Sequence, residues 1–416
     1  MIDLNTIDYK DIYCTDEAAS RQPDRYAAAV SEFVKAFPEE DPEAIFSAPG
    51  RTEIGGNHTD HQHGEVLAAS INKDAIAVVS PRDDSSINVV AEGFGKYTFD
   101  LGDLSFRESE KGTTAALIRG VLAGLKDKGY ALGGFDAYIT SDVLIGAGLS
   151  SSAAFETLIG TIISGLYNDM DIDPVTIAKI GQYAENTYFG KPCGLMDQTA
   201  CSVGGLVHID FNDPEDPAVD KVGFDLAKTD YLLCITDTKG SHADLTDEYA
   251  AVPSEMKQVA NLLGHEVLRP VALTDILDNI DDLRNKAGDR AVLRAIHFVT
   301  ETSRAHDEAR SLANNDPAGF LDLVRKSGDS SFKYLQNVYT NKDVRVQNIS
   351  LALAVSDSFL GPDEAARVHG GGFAGTVQAF VKKENAEAYR ALMDKVFGEG
   401  ACEILAVRRY GGIRVV

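Results

Sequence analysis

The stretch Val143-Leu-Ile-Gly-Ala-Gly-Leu-Ser-Ser-Ser-Ala153 constrains this chain most, because it couples a glycine turn to three serines and then to an apolar helical pattern. Gly146 and Gly148 lack the Cβ atoms that would hold the backbone away from a ligand. The serines can cap the helix, while its free N–H groups and positive dipole end face an anion. Upstream, Phe135, Ala137 and Ile139 alternate as on a half-buried strand; downstream, Ala154, Leu158, Ile159, Ile162 and Leu166 recur at helical spacing. The loop thus joins a strand to a helix and predicts a phosphate cradle. The bland alternative is a softened turn with serine caps and no ligand, since one glycine motif specifies little. A Walker-type loop is excluded, because no G-x-x-x-x-G-K-[ST] occurs and no lysine follows the serines.

A length of 416 residues exceeds one ordinary core. Two domains are expected, 1–212 and 213–416, divided at the turn Pro214-Glu-Asp-Pro217. The net charge of −25 argues against nucleic acid or an acidic membrane surface as partner. It still allows an anionic nucleotide held locally by backbone N–H groups, a magnesium ion and one or two cations, so ATP is expected to arrive with Mg2+. Five cysteines without CxxC spacing fit reduced thiols. The acidic N-terminus lacks the basic start of a signal peptide, and no apolar run spans a bilayer, so a cytoplasmic protein is expected.

Patterning predicts a helix over about 24–37, a strand over 44–48, a helix over 174–189, a strand near 231–236 and several helices as far as 359. The cluster His369-Gly-Gly-Gly-Phe-Ala-Gly375 precedes a strand, a helix over 386–397 and a last strand pair.

Four segments carry the chemistry: Ala48-Pro-Gly-Arg-Thr-Glu-Ile-Gly-Gly-Asn-His-Thr-Asp60, the serine loop, Gly194-Leu-Met-Asp-Gln198 and the 370–375 cluster. Together, in this order and spacing, they resemble the galactokinase branch of the GHMP small-molecule kinases. The resemblance implies an α+β chain with an N-terminal ribosomal-S5-like domain, a C-terminal ferredoxin-like domain, and sugar and Mg-ATP bound between them. It implies that Gly146, Ala147, Gly148, Leu149, Ser150, Ser151 and Ser152 hold the triphosphate, and that Ser152 and Glu185 hold magnesium. Oxygen ligands suit that hard cation. Asp197 and Arg51 match the catalytic pair: the carboxylate would accept or orient a sugar hydroxyl proton, and the guanidinium would keep it ionised. Asn57, His58, Thr59, Asp60 and Tyr249 fall on the sugar-binding positions. For each of these residues a solvated surface charge or a turn cap is the bland alternative.

This chain departs from the family pattern, which has glutamate at the position of Asn57, asparagine at that of Glu53, tyrosine at that of His61 and proline at that of Leu144. Losing a carboxylate at position 57 would remove repulsion toward an acidic sugar, so galacturonate stands as the alternative to galactose. A non-catalytic sugar and nucleotide sensor is disfavoured by the presence of Arg51, Ser150–Ser152, Glu185 and Asp197, and a mevalonate- or homoserine-type kinase would leave 57–60 unexplained. The run His58-Thr-Asp-His-Gln-His63 is not expected to bind metal, lacking a fourth ligand or zinc spacing. The oligomeric state is left unknown.

Overall fold

The computed structural model describes residues 2–143, 148–241 and 245–416. Two sheets organise them. The first has β1 (Ala44–Gly55), β2 (Glu65–Arg82), β3 (Ser86–Ala91), β4 (Gly95–Asp100), β5 (Gly134–Ser141), β6 (Leu206–Asp210) and β7 (Ala218–Val222). The second has β8 (Tyr231–Asp237), β9 (Ala365–His369), β10 (Thr376–Lys382) and β11 (Cys402–Leu405), and the tail strand β12 (Ile413–Arg414) returns to pair with β1 in the first.

The eighteen residues of β2 anchor the first sheet. One edge pairs with β1 along 67–70 and 74–79, while the other takes β6 along 65–69 and β5 along 75–82. Alternation along β1 feeds two cores. Phe46 packs with Ala77, Ala137 and Ile162, whereas Ile45 joins Ile76, Val78, Tyr138, Tyr26 and Phe33. Phe46 reaches the Ser151–Tyr167 helix because a Cβ on Gly165 would lie 2.3 Å from its ring. Truncating so deeply buried a phenylalanine costs about 3–5 kcal/mol.

Covering both faces alters one expectation. Phe135, Ala137 and Ile139 do share a side, but β5 is not half-buried: Asp136 and Tyr138 on its other side are buried too, with Tyr138 in the cluster of the Gln22–Ala36 helix. The first strand also runs well past 48, to Gly55, so Arg51 and Glu53 are strand residues rather than loop residues.

In the second sheet the order β11-β8-β10-β9 is antiparallel throughout, with helices entered between β8 and β9 and between β10 and β11. This is the ferredoxin-like arrangement expected from the resemblance. The first sheet takes strands from both sides of position 212, because β7 pairs with β6 and β12 pairs with β1. The edge of the first sheet therefore lies beyond the Pro214–Pro217 turn, since β7 follows that turn as a hairpin partner of β6. Among the described residues no helix is long and apolar enough to cross a membrane.

Candidate active site

Strand β1 is irregular where it matters. Its register with β2 shifts between Pro49 and Arg51 and again between Glu53 and Gly55. Gly50 fills the first irregularity because a Cβ there would stand 2.7 Å from the Leu149 carbonyl. Arg51 then zips onto the serine loop, donating its backbone N–H to Leu149 O at 3.0 Å and Nη1 to Gly148 O at 2.5 Å. Its remaining nitrogens form a fork on Asp197, Nε to Oδ1 at 2.7 Å and Nη2 to Oδ2 at 2.8 Å. Planar, two-point pairing of this kind fixes direction as well as charge.

Asp197 opens the Met196–Val203 helix and is 34% exposed. Burial would raise its pKa, but the Arg51 charge and hydrogen bonds, with the Ser150 hydroxyl, hold it below the ordinary carboxylate value. Ser150 donates directly to Asp197 Oδ2. That contact changes the expected job of the first serine. Ser150 takes a left-handed backbone, φ 57° and ψ 59°, and makes no side-chain cap on the helix that starts at Ser151. Its hydroxyl faces the aspartate instead. Gly148, Leu149, Ser150, Ser151 and Ser152 are thus gathered beside Arg51 and Asp197, whereas Gly146 and Ala147 lie outside the described residues.

One turn along, Ser152 Oγ lies 3.4 Å from Glu185 Oε1. Glu185 belongs to a π-helical turn, Ala184–Phe189, that ends the helix expected to run unbroken over 174–189. Lys191 Nζ meets the same carboxylate oxygen at 3.1 Å. Gln198 Nε2 reaches Glu185 Oε2 at 2.9 Å and Glu156 Oε2 at 3.0 Å. Burial, and next the nearby Glu185 charge, push the Glu156 carboxyl well above its ordinary range. The sequence reading gives no role to Glu156 or Lys191, and none to Gln198 beyond its place in the 194–198 motif. Glu156 stands four residues after Ser152 on one helix face, a spacing that signals it.

The sugar-side residues divide. Asp60 packs against the loop leading to Asp197: a Cβ on Gly194 would lie 2.6 Å from its Oδ2, and its carboxylate takes no hydrogen bond from a described residue. His58, at φ 60°, faces the Gly371 carbonyl through Nε2 at 2.9 Å. Tyr249 sits in the first turn of the Thr246–Leu262 helix and donates to Gly372 O at 2.7 Å. Thr59 is fully buried, with its hydroxyl spent on Gly56 O and Glu65 O at 2.8 and 2.7 Å. Asn57 is also fully buried. Its Nδ2 donates to Glu53 Oε1 at 3.0 Å and Gly370 O at 2.7 Å, and its Oδ1 accepts from Asn337 at 2.8 Å and Ser331 at 3.3 Å. Three successive carbonyls of the glycine cluster therefore rest on Asn57, His58 and Tyr249.

Behind Asn57 the two domains are joined by buried charge. Arg367 of β9 pairs with Glu53 and donates to Ile54 O at 2.7 Å, while Gln378 of β10 donates to Glu53 O at 2.8 Å. His297 Nε2 meets Asn57 O at 2.9 Å, and Glu301, one turn on, pairs with Arg304 and accepts from Ser327. The two positions at which this chain departs from the pattern the resemblance implies, 53 and 57, are thus hydrogen-bonded to each other.

The galactokinase galactose-binding signature matches residues 31–81, and the N-terminal domain of GHMP kinases matches residues 116–205. The chain is 30% identical to galactokinase from Streptomyces coelicolor over 371 residues, covering 89% of this chain and 93% of that protein. Galactokinase from Levilactobacillus brevis is likewise 30% identical, with 89% and 94% covered. Among solved structures, Lactococcus lactis galactokinase complexed with galactose superposes with a TM-score of 0.78 at 24% identity, covering 94% of this chain and 99% of that one. Methanococcus jannaschii mevalonate kinase, at a TM-score of 0.62 and 16% identity over 89% of this chain and 99% of its own, shares the fold alone. The fold, the ordered motifs and a relative matched along nearly its whole length agree: this chain belongs to the galactokinase family of the GHMP kinases.

Proposed function

We propose that this chain transfers the γ-phosphoryl group of ATP to the anomeric hydroxyl of galactose, giving galactose 1-phosphate and ADP. The observation that carries this reading is the Arg51–Asp197 fork beside the serine loop, with one face of the carboxylate open to the cleft. In the reaction the anomeric oxygen bonds to the γ-phosphorus as the bond to the bridging β,γ-oxygen breaks, and ADP leaves with that electron pair. Asp197, kept ionised by Arg51, accepts or orients the departing hydroxyl proton. Ser150 fixes the second carboxylate oxygen. The loop N–H groups and Arg51 offset charge on the moving group.

Ser152 and Glu185 form an all-oxygen donor pair that fits a hard cation, and Lys191 already sets a positive charge beside it. Mg2+ held there would neutralise the β- and γ-phosphates. Glu156, through Gln198, positions Glu185. The Asp60 carboxylate, next to Gly194 and without a hydrogen-bond donor among the described residues, suits two neighbouring sugar hydroxyls, and His58 and Tyr249 border the same cleft.

Asn57 gives no support to an acidic sugar, because both ends of its amide are spent inside the protein. Its role in this reading is to seat the 370–375 cluster. The working lobes are 2–222 with the returning tail strand, and 226–405. Five free cysteines accord with a reducing cytoplasm.

Measuring ADP release with Mg-ATP against galactose, other hexoses, amino sugars and galacturonate tests the reading. Galactose is expected to give the highest kcat/KM. A preference for galacturonate, or turnover independent of any sugar, would overturn it.

A further inference from the structure

The edge of the first sheet away from the phosphate loop carries a second convergence of donor atoms. Glu65 begins β2, and His208 lies on β6 opposite Leu67, so the two side chains share a face two residues apart in register. The third group, His306, comes from the Asp289–Ala313 helix. His208 Nε2 lies 2.8 Å and His306 Nδ1 3.0 Å from the same carboxylate oxygen, Glu65 Oε2. All three donor atoms fall within 4.8 Å of one another. The imidazole planes are inclined by 78° with centroids 5.5 Å apart, so the rings converge rather than stack.

The surroundings favour a cation. Arg269 Nη2 occupies the other oxygen, Glu65 Oε1, at 3.3 Å and also pairs with Asp210 at 2.9 Å. It steadies the carboxylate from outside and leaves Oε2 to the histidines, as outer-shell partners of metal ligands do. With neutral imidazoles, Glu65, Asp210 and Arg269 sum to one negative charge. His306 is 55% exposed, whereas His208 and Glu65 are nearly enclosed, which gives an entry side and room for water as a fourth ligand. Tetrahedral ligands on zinc stand about 3.3 Å apart, so the observed spacing needs only a small opening.

We propose that Glu65, His208 and His306 form a binding site for a late first-row divalent cation of the zinc type. Two imidazoles and one carboxylate select such an ion over Mg2+, which prefers oxygen ligands. The site is distinct from the oxygen pair at Ser152 and Glu185. It ties the sheet to the helix whose His297, nine residues or about 13.5 Å earlier along the axis, holds the Asn57 carbonyl. The Glu65 carbonyl itself anchors Thr59, so the bound ion would brace the base of the 57–64 turn. Both histidines must then present a lone pair where each now meets the carboxylate, with the ring proton held on His208 Nδ1 and His306 Nε2.

The test uses the untagged full chain, freed of metal by chelator and kept without nucleotide. Zn2+ titration by calorimetry and Co2+ titration by visible absorption are expected to show one equivalent bound per chain, with a raised Tm and no displacement by millimolar Mg2+. His306→Ala, at an exposed helix position, and His208→Gln, which keeps a donor toward Glu65, are each expected to weaken binding at least tenfold. His306→Ala is expected to retain Mg-ATP-dependent ADP release, which separates this site from the proposed reaction. Absence of stoichiometric binding, or an affinity in both variants unchanged from that of the parent chain, would overturn the site and leave an ion cluster that only joins sheet to helix.

Discussion

Arg51 and Glu53 stand two residues apart on one strand, yet they work in opposite kinds of polar environment. Arg51 points to Asp197, whose side chain is 34% exposed. Glu53 points to Arg367, which is wholly buried, and is itself nearly enclosed. At the first place the proposed reaction would use the exposed part of a carboxylate whose two oxygens are already held by Arg51 and Ser150. At the second, completion fastens one domain to the other. Two arginine–carboxylate pairs, one a two-point fork and the other a single contact backed by backbone carbonyls, therefore differ in surroundings, and substitutions should separate them by moving rate in one case and stability in the other.

Asp197→Asn should give the largest effect. The amide keeps the shape but cannot take a proton, and kcat is expected to fall by about 10²–10⁴ while the thermal midpoint hardly moves. Steady-state ADP release and calorimetric melting on one preparation check this; near-normal turnover would remove Asp197 from the chemistry. At the closed site Arg367→Ala should do the reverse. Leaving Glu53 buried without its partner is expected to cost about 3–5 kcal/mol in denaturant unfolding. An unchanged midpoint would mean that the interdomain pair contributes no stability.

How far the sequence revealed each region follows from the same contrast. The open corner was legible because its residues lie in short motifs with glycine and serine signals: Gly148 to Ser152, Arg51 and Asp197 come together as the motif order implied. Ser150 was read as a cap because a serine before a helix usually caps it, and only the fold shows the aspartate competing for its hydroxyl. The closed cluster was illegible. Arg367, Gln378, Glu301 and Asn337 are scattered over the chain in unremarkable patterns, and only the docking of β9, β10, the Asp289–Ala313 helix and the segment after Leu335 onto β1 and the turn that follows it gathers them around Glu53 and Asn57. The motif alone places Asn57 among the sugar-binding positions, and only the fold shows both ends of its amide hydrogen-bonded within the protein.

Glu308 sharpens the comparison within the closed region. Glu53 and Glu301 already balance Arg304 and Arg367, and Glu308 lies buried with neither oxygen hydrogen-bonded. Burial, and then the Glu301 charge, raise its carboxyl well above the usual range. A raised folded-state pKa means that its contribution is fully favourable below the unfolded value of about 4.3 and is lost as pH rises toward the folded value. Glu308→Met should therefore stabilise the chain by about 1–3 kcal/mol at pH 7, with the gain shrinking toward pH 4. Denaturation curves at pH 4.5, 6 and 8 decide it; a gain independent of pH would show that the carboxyl does not titrate in this window.

The hydrogen-bonded pair at 53 and 57 gives the most delicate test, because it asks whether closure or residue identity matters. Asn57→Glu alone would set a second carboxylate against Glu53 Oε1 and against the Gly370 carbonyl, turning two donated hydrogen bonds into two repulsions. Glu53→Asn alone would strand Arg367. The double variant keeps one amide, one carboxylate and the same net charge, in the arrangement typical of the family. It should be more stable than the sum of the single changes by a coupling of about 0.5–3 kcal/mol. Simple additivity in urea unfolding would mean that each position answers to its own surroundings. Coupling would mean that this chain has exchanged the two members of one interdomain joint, so that its unusual residue at position 57 reflects how the domains are fastened rather than which sugar is bound.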